Sequence, residues 1–204
     1  MKKEDIILAL LAGEGVAGLI YGFIKNSQVK TILGIDSSIV GWILIFLLPF
    51  IALGGLYICY LIGKKLLFIF QMAKFFLVGV LTTLFDLGIM NILIWIFSTS
   101  TGWAYNLFKA ISFLCATVAK YWGNKFLAFE KKEVKEMKKE FIQFFSITAV
   151  SFFINVGVAS FVVNTIEPQF GLNIIIWANI GAIIASIMGS LWNFIGYKFI
   201  VFKK

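Results

Sequence analysis

Long uncharged stretches alternate with short charged ones along this chain. Residues 37–63, 141–166 and 168–197 contain no Asp, Glu, Lys or Arg, and each stretch is at least 26 residues long. A helix of about 20 apolar residues crosses the hydrocarbon core of a bilayer. Each of the three stretches therefore predicts a transmembrane helix.

Three further apolar stretches carry a charged residue in their interior. The stretch 75–97 contains Asp86, and the stretch 6–24 has Glu14 near its middle. The stretch 104–128 contains Lys120, with Lys109 and Lys125 nearer its ends. Each is still about long enough to cross the membrane. The predicted fold class is therefore an all-α, polytopic membrane protein with six transmembrane helices.

The connections between these stretches are short. Residues 98–103 and 164–173 are predicted to be turns, because they combine small, polar and helix-breaking residues. The charged stretch 130–140 is predicted to be a short solvated helix. The alternative is that it forms a docking surface for a soluble partner or for anionic headgroups.

Composition supports a membrane protein and excludes several other classes. Hydrophobic residues make up 61% of the 204 residues and charged residues 14%, against about 25% charged in soluble domains. The chain has no histidine, which removes the usual neutral-pH general base and most zinc sites. Cys59 and Cys115 lie in apolar stretches, so no disulfide, metal centre or other cofactor is predicted. We expect a protein that is not an enzyme.

The basic residues predict the orientation of the helices. All 18 are lysines, and the net charge is +8. A basic protein can bind nucleic acid, but these lysines lie between apolar stretches, as in the lysine-rich cytoplasmic loops of membrane proteins. With the N-terminus inside, all lysines except Lys25, Lys30 and Lys109 fall on the cytoplasmic side. We predict the cytoplasmic (inner) membrane as the location, both termini in the cytoplasm, and no nucleic-acid partner.

The C-terminal two thirds of the chain contain an internal duplication. Residues 72–88 align with 141–157 at an offset of 69, and residues 122–131 align with 195–204 at an offset of 73. Aligned pairs include Thr82 with Ser151, Asp86 with Asn155, and Lys125 with Lys198. Each copy is a two-helix hairpin that starts from the same side, so the last four helices are predicted to form two parallel repeats.

The spacing of polar residues predicts an interior face on these helices. Four residues that are four apart share one helix face, namely Ser112, Ala116, Lys120 and Asn124. Small residues at this spacing let helices approach closely in lipid, so Lys120 and its repeat equivalent Asn193 should face the bundle interior. A pair between Asp86 and Lys120 is within reach of the lysine side chain. Such a pair would either hold two helices in register or line a polar path for a charged headgroup.

Three motifs carry a family resemblance: K-F-F-L-V-G-V-L-T-T-L-F-D (74–86), N-K-F-L-A-F (124–129) and Y-K-F-I-V-F (197–202). With these motifs, residues from about 70 to 204 resemble the GtrA-like family of small four-helix membrane proteins. The family commonly has an arginine in the two closing motifs. This chain has Lys125 and Lys198 there, which keep the charge but lack the bidentate fork. The predicted domains are an N-terminal transmembrane hairpin, 1–66, and a GtrA-like four-helix domain, 67–204.

The resemblance implies flipping of a polyprenyl-phosphate-linked sugar for cell-envelope polysaccharide or teichoic acid glycosylation. Flipping requires groups that lower the cost of moving an anionic phosphate and sugar hydroxyls through hydrocarbon. We expect a groove between the repeats, with lysines near its cytoplasmic mouth collecting the phosphate and polar groups further in binding the headgroup. The expected substrate-binding residues are Asp86, Lys120, Asn124, Lys125, Asn155, Asn193 and Lys198.

Two alternative functions stay open. One is a non-transporting anchor that recruits a polyprenyl-phosphate glycosyltransferase, with 130–140 as its docking surface. The other is a small proton-coupled exporter in which Glu14, within A-G-E-G-V-A-G (12–18), points inward and couples protons. The competing interpretation of Glu14 places it in water at the membrane interface.

The sequence also favours several binding partners. Besides the polyprenyl-phosphate sugar lipid, we expect membrane lipids and a glycosyltransferase as partners, because no soluble synthetic domain is apparent. Small-residue helix faces also suit a homodimer. Residues 64–74 are predicted to form either an interfacial amphipathic helix or a continuation of a neighbouring helix.

Overall fold

The computed structural model describes residues 1–24, 37–98, 102–131, 137–166, 168–169 and 174–203. These residues form α-helices and π-helical segments, and no strand occurs among them. The α-helices are α1 (Lys3–Ile24), α2 (Ser37–Gly63), α3 (Leu67–Phe97), α4 (Gly102–Gly123), α5 (Met137–Phe161) and α6 (Ile174–Gly196). The π-helical segments are π1 (Asn124–Ala128), π2 (Val162–Ile166) and π3 (Tyr197–Val201). The predicted all-α class is confirmed.

Four helical stretches in the described part of the chain are long and apolar enough to cross a membrane. They are Lys3–Gly22, Val40–Gly63, Leu67–Phe97 and Met137–Val158. Large apolar side chains on these helices face outward, since Phe46, Trp95 and Phe153 are at least 67% exposed. Such a surface suits lipid rather than water. The chain is therefore a multi-pass membrane protein, while the spanning roles of α4 and α6, and with them the count of six, stay predictions.

The chain divides into two compact units, Met1–Glu130 (unit 1) and Lys131–Lys204 (unit 2). In unit 1, α1 packs against α2 and α3, and α3 packs against α4 and π1. In unit 2, α5 packs against α6 and π3. The predicted domain boundary between residues 66 and 67 stays a prediction.

A glycine allows α1 to lie close to α2 in unit 1. A Cβ atom at Gly13 would lie 2.5 Å from the Cα of Pro49, so only a residue without a side chain fits there. A Cβ at Gly18, on the same helix, would have no neighbour within 4 Å. Gly18 therefore does not take part in this close approach.

The start of α3 decides between the two predicted structures of residues 64–74. Because α3 begins at Leu67, most of this segment continues into the following helix and does not form a separate interfacial helix. The helix runs for 31 residues and ends at Phe97, after which Ser98 adopts a left-handed conformation with φ of 50°. The left-handed residue ends the helix.

Several predicted features lie outside the described residues. They are residues 99–101, 167 and 170–173 of the two predicted turns, the centre of the charged stretch 130–140, and Lys25 and Lys30. The described parts of the turns are partly helical, since residues 102–103 belong to α4 and residues 164–166 to π2. The described ends of the charged stretch include Glu130 and Glu140. Both of these residues form ion pairs.

Candidate functional site

The predicted stripe of α4 faces the interior of unit 1. Ser112 and Asn124 are completely buried and Ala116 is 8% exposed, whereas Lys120 is half-buried. The Ser112 hydroxyl donates a hydrogen bond of 2.6 Å to Oδ1 of Asp86 on α3. Ser112 thus joins α3 to α4 two helical turns before Lys120. The pair between Asp86 and Lys120 stays a prediction.

Two polar residues at the end of this stripe are completely buried. Asn124 donates through Nδ2 to the carbonyl oxygen of Lys120 over 2.9 Å, but its Oδ1 has no hydrogen-bond partner among the described residues. The Lys125 ammonium lies 3.5 Å from the Tyr121 hydroxyl oxygen. Both residues begin π1, in which the Phe129 N–H donates to the Asn124 carbonyl over 2.9 Å. Such π-helical segments occur frequently at functional sites.

Unit 2 has a buried polar group of similar composition. Nδ2 of Asn193 donates to the Ser151 hydroxyl over 3.0 Å, and this hydroxyl donates to the carbonyl oxygen of Gly189 over 3.0 Å. Asn193 is 6% exposed, and its Oδ1 has no hydrogen-bond partner in the described part of the chain. Asn155, one turn after Ser151, is half-buried. Asn193 therefore faces the interior of its unit, as its spacing predicts.

Tyr197 lies one helical turn after Asn193 in unit 2. Its hydroxyl lies 2.6 Å from that of Thr148, and the side chain is completely buried. Lys198 follows it and is half-buried, with its ammonium 5.7 Å from the ring centroid of Phe194. Lys198 is thus more accessible than its predicted repeat equivalent Lys125.

A group of ion pairs in unit 1 is not among the predicted features. The ammonium of Lys74, a residue 1% exposed, lies 3.2 Å from Oδ1 of Asp5 and 2.6 Å from Oε1 of Glu130. Lys2 contacts the other carboxylate oxygen of Glu130. Burial alone would raise the pKa of Glu130, but hydrogen bonds from Lys2 and Lys74 lower it to about 2. We call these four residues the ion cluster.

The sequence carries little signal for the ion cluster. Lys74 opens the first family motif, where the positive-inside rule makes it look like a solvated flanking lysine. Its carboxylate partners are 69 and 56 residues away in the chain, so no local spacing relates them. The one local indication is Asp5, which accepts a hydrogen bond of 2.7 Å from the backbone N–H of Lys2. It lies in the first turn of α1, where an acidic side chain is favourable.

Glu14 is exposed on the surface of unit 1. It lies near the middle of α1, within a stretch that is able to cross a membrane. Its carboxylate therefore does not point into the core of that unit. A proton-coupling role for Glu14 stays a prediction.

Each unit brings together part of the predicted substrate-binding set. Asp86, Lys120, Asn124 and Lys125 belong to unit 1, and Asn155, Asn193 and Lys198 belong to unit 2. Amide oxygens can accept hydrogen bonds from sugar hydroxyls, and ammonium groups can bind phosphate oxygens. The expected groove between the repeats stays a prediction.

Comparison with known families agrees with the motifs. The sequence model of the GtrA/DPMS transmembrane domain matches residues 74–202, which is 129 of the 204 residues. No curated protein and no solved structure matches the chain. The match extends from the buried Lys74 through the end of π3 and confirms the resemblance. This multi-pass membrane protein therefore belongs to the GtrA/DPMS transmembrane domain family.

Proposed function

We propose that the protein translocates a polyprenyl-phosphate-linked monosaccharide across the cytoplasmic membrane, for glycosylation of cell-envelope polysaccharide or teichoic acid. The observation that carries the proposal is the family match over residues 74–202. A GtrA-like domain implies work on lipid-linked sugars of this class. In this proposal the protein is not an enzyme, and a polyprenyl-phosphate glycosyltransferase acts as the partner that makes the lipid.

Buried polar atoms support a path for a polar headgroup. An unpaired charge at the membrane centre costs roughly 3 kcal/mol or more, so a translocated phosphosugar needs partners inside the protein. Asn124 and Asn193 each keep a buried amide oxygen without a hydrogen-bond partner among the described residues. An unsatisfied buried polar group costs about 1–3 kcal/mol. A sugar hydroxyl that donates to either oxygen would recover part of that free energy.

Lysines supply the counter-charge for the phosphate in this proposal. Lys125 is completely buried at π1 and Lys198 is half-buried at π3. A lysine ammonium binds phosphate as a compact point charge. Lys120, half-buried on the same stripe as Ser112, would extend the polar path beyond the contact between Ser112 and Asp86.

Equivalent contacts in the two units support the proposed internal duplication. A Cβ atom at Gly123 would lie 2.8 Å from the Val78 side chain, and one at Gly196 would lie 2.6 Å from the Ile147 side chain. The two glycines are 73 residues apart and their neighbours 69 apart, which are the two offsets of the sequence alignment. We therefore propose that α3–α4 and α5–α6 are copies of one hairpin. All six helices would cross the membrane, with both termini in the cytoplasm.

A flipping assay tests the proposed function. Purified protein is placed in liposomes that carry a polyprenyl-phosphate monosaccharide in one leaflet, and transfer to the opposite leaflet is followed. Protein-containing liposomes should transfer the lipid and protein-free liposomes should not. Lys120→Ala or Asp86→Asn should lower the initial rate about tenfold or more, which corresponds to a barrier increase of about 1.4 kcal/mol.

Two further variants separate transport from structure. Lys65→Ala removes one charge at an exposed position and should transfer lipid at the wild-type rate. Ser112→Ala removes the hydrogen bond to Asp86 but keeps the carboxylate, so it should reduce the rate less than Asp86→Asn. Failure of the wild-type protein to transfer the lipid would refute the function. Wild-type rates in both Lys120→Ala and Asp86→Asn would refute the assigned residues.

A further inference from the structure

A cleft of about 330 Å³ lies at the charged end of unit 2. Three lysines line it: Lys131, which precedes α5; Lys139, in the first turn of α5; and Lys203, which follows π3. The other lining residues are Glu140, Gln143, Ile200 and Val201. Small-molecule sites span about 300–1,000 Å³. The cleft is therefore large enough for a small ligand, and none of its residues belongs to the substrate-binding set proposed above.

The cleft is cationic although one carboxylate lines it. Nζ of Lys131 lies 2.8 Å from Oε1 of Glu140, and the two side chains are 14% and 7% exposed. This nearly buried ion pair neutralises the acid. Three lysines and one glutamate give the lining a net charge of +2. An anion is the complementary ligand.

The segment that carries Lys203 is anchored to unit 2. Val201 and Phe202 are 2% and 3% exposed, and the Phe202 N–H donates to the carbonyl oxygen of Tyr197 over 2.7 Å. The buried pair fixes the backbone directly before Lys203. The packed segment therefore holds the backbone of Lys203 beside the cleft, which lowers part of the ordering cost of binding a ligand.

We infer that this cleft binds a phosphate group. A phosphate monoester carries a charge of about −1.5 to −2 at neutral pH and three acceptor oxygens, which match the charge of the lining and its lysine and Gln143 donors. Ile200, which is 54% exposed, adds an apolar edge suited to the first carbons of a lipid chain. The phosphate belongs either to the head of a polyprenyl lipid or to a free phosphate. If the phosphate belongs to the polyprenyl lipid, the inference rests on the proposed function, and the cleft is the place where the headgroup binds first.

Equilibrium binding to the full chain in detergent, measured by native mass spectrometry with polyprenyl phosphate, tests the inference. The double variant with Lys139→Gln and Lys203→Gln should bind at least about tenfold more weakly, because charge-assisted hydrogen bonds to phosphate are lost. Replacing both residues by arginine should retain binding. Lys3→Gln with Lys65→Gln removes the same charge at exposed positions outside the cleft and should bind like wild type.

Competition separates the two phosphate sources. Displacement of the lipid by inorganic phosphate would identify the phosphate alone as the ligand. No displacement, together with no binding of uncharged polyprenol, would identify phosphate on an isoprenoid chain. Wild-type affinity in the glutamine double variant, equal binding of polyprenol, or no binding of either phosphate probe to the wild-type protein would overturn the inference.

The binding assay for the cleft and the flipping assay for the proposed function can fail independently. Lysine-dependent binding without transfer of the lipid in liposomes would support the phosphate site and refute the proposed function. Transfer of the lipid with binding that does not depend on Lys139 and Lys203 would support the proposed function and refute the phosphate site. The glutamine double variant must keep the wild-type thermal unfolding midpoint, so that its weaker binding reflects the lost lysine charges, and the arginine double variant should show both the wild-type midpoint and the wild-type affinity.

Discussion

Replacing Lys74 by methionine should strongly destabilise unit 1. The substitution keeps a long side chain in a position that is 1% exposed, but it removes the charge that Asp5 and Glu130 share. Asp5, whose side chain is 4% exposed, would keep its backbone hydrogen bond but lose its counter-charge. Glu130 would suffer less, since Lys2 still contacts it and its side chain is 33% exposed. Removing one partner of a buried ion pair costs about 3–5 kcal/mol, and we expect a loss in this range.

The loss is measured as the free energy of unfolding in mixed micelles, by titration with a denaturing detergent and detection of helix content. Asp5→Asn alone leaves Lys74 paired with Glu130 and should cost less than Lys74→Met. Adding Asp5→Asn to Lys74→Met should restore part of the loss, because no buried carboxylate is then left without its counter-charge, and coupling energies of about 0.5–3 kcal/mol are usual for contacting residues. Lys65→Met, at an exposed position, should stay within about 0.5 kcal/mol of wild type. A loss below about 1 kcal/mol for Lys74→Met, or strict additivity in the double variant, would refute the reasoning.

The remaining predictions concern close packing, pH and one hydroxyl pair. Gly13→Ala places a Cβ atom 2.5 Å from the backbone of α2 and should lower the free energy of unfolding by about 1–3 kcal/mol. Gly18→Ala, which faces open space, should be neutral or slightly stabilising in the same titration, and equal losses in both would contradict the packing argument. The pKa of Glu130 is lowered from 4.5 to about 2, so its contribution to stability is present above about pH 4.5 and lost as the pH falls towards 2. Glu130→Gln should reduce the loss of the free energy of unfolding as the pH falls through this interval. An unchanged loss would contradict the low pKa. Tyr197→Phe removes the hydroxyl that lies 2.6 Å from that of Thr148 and should cost about 1 kcal/mol; an unchanged thermal unfolding midpoint would show that the pair contributes nothing.

Helix positions could be predicted because they depend on local properties of the chain. The uncharged stretch 37–63 coincides with α2, Ser37–Gly63, since its length and lack of charge suit a single membrane-spanning helix. The stripe on α4 was predictable for a similar reason, because residues four apart always share a helix face. The start of α3 at Leu67 was not settled by pattern, since lysines flank the segment 64–74 on both sides and favour neither structure.

Pairing between distant residues could not be predicted in the same way. The depth of Asp86 and Lys120 along their helices allows a contact that stays a prediction, whereas the hydrogen bond between Ser112 and Asp86 was not predicted. The partner of Asp86 depends on the position of α3 relative to α4 along the helix axes. This relative position is set by packing between the helices, such as that of Gly123 against Val78. The spacing of residues along one helix does not reveal it. The same limit explains why Asp5 and Glu130 were not recognised as partners of Lys74.

The ion cluster crosses the boundary of the family match. Lys2 and Asp5 precede the matched residues 74–202, whereas Lys74 and Glu130 belong to them. A chain shortened to the matched residues would leave Lys74 with half of its counter-charge, so the N-terminal helix is not a detachable addition to the domain.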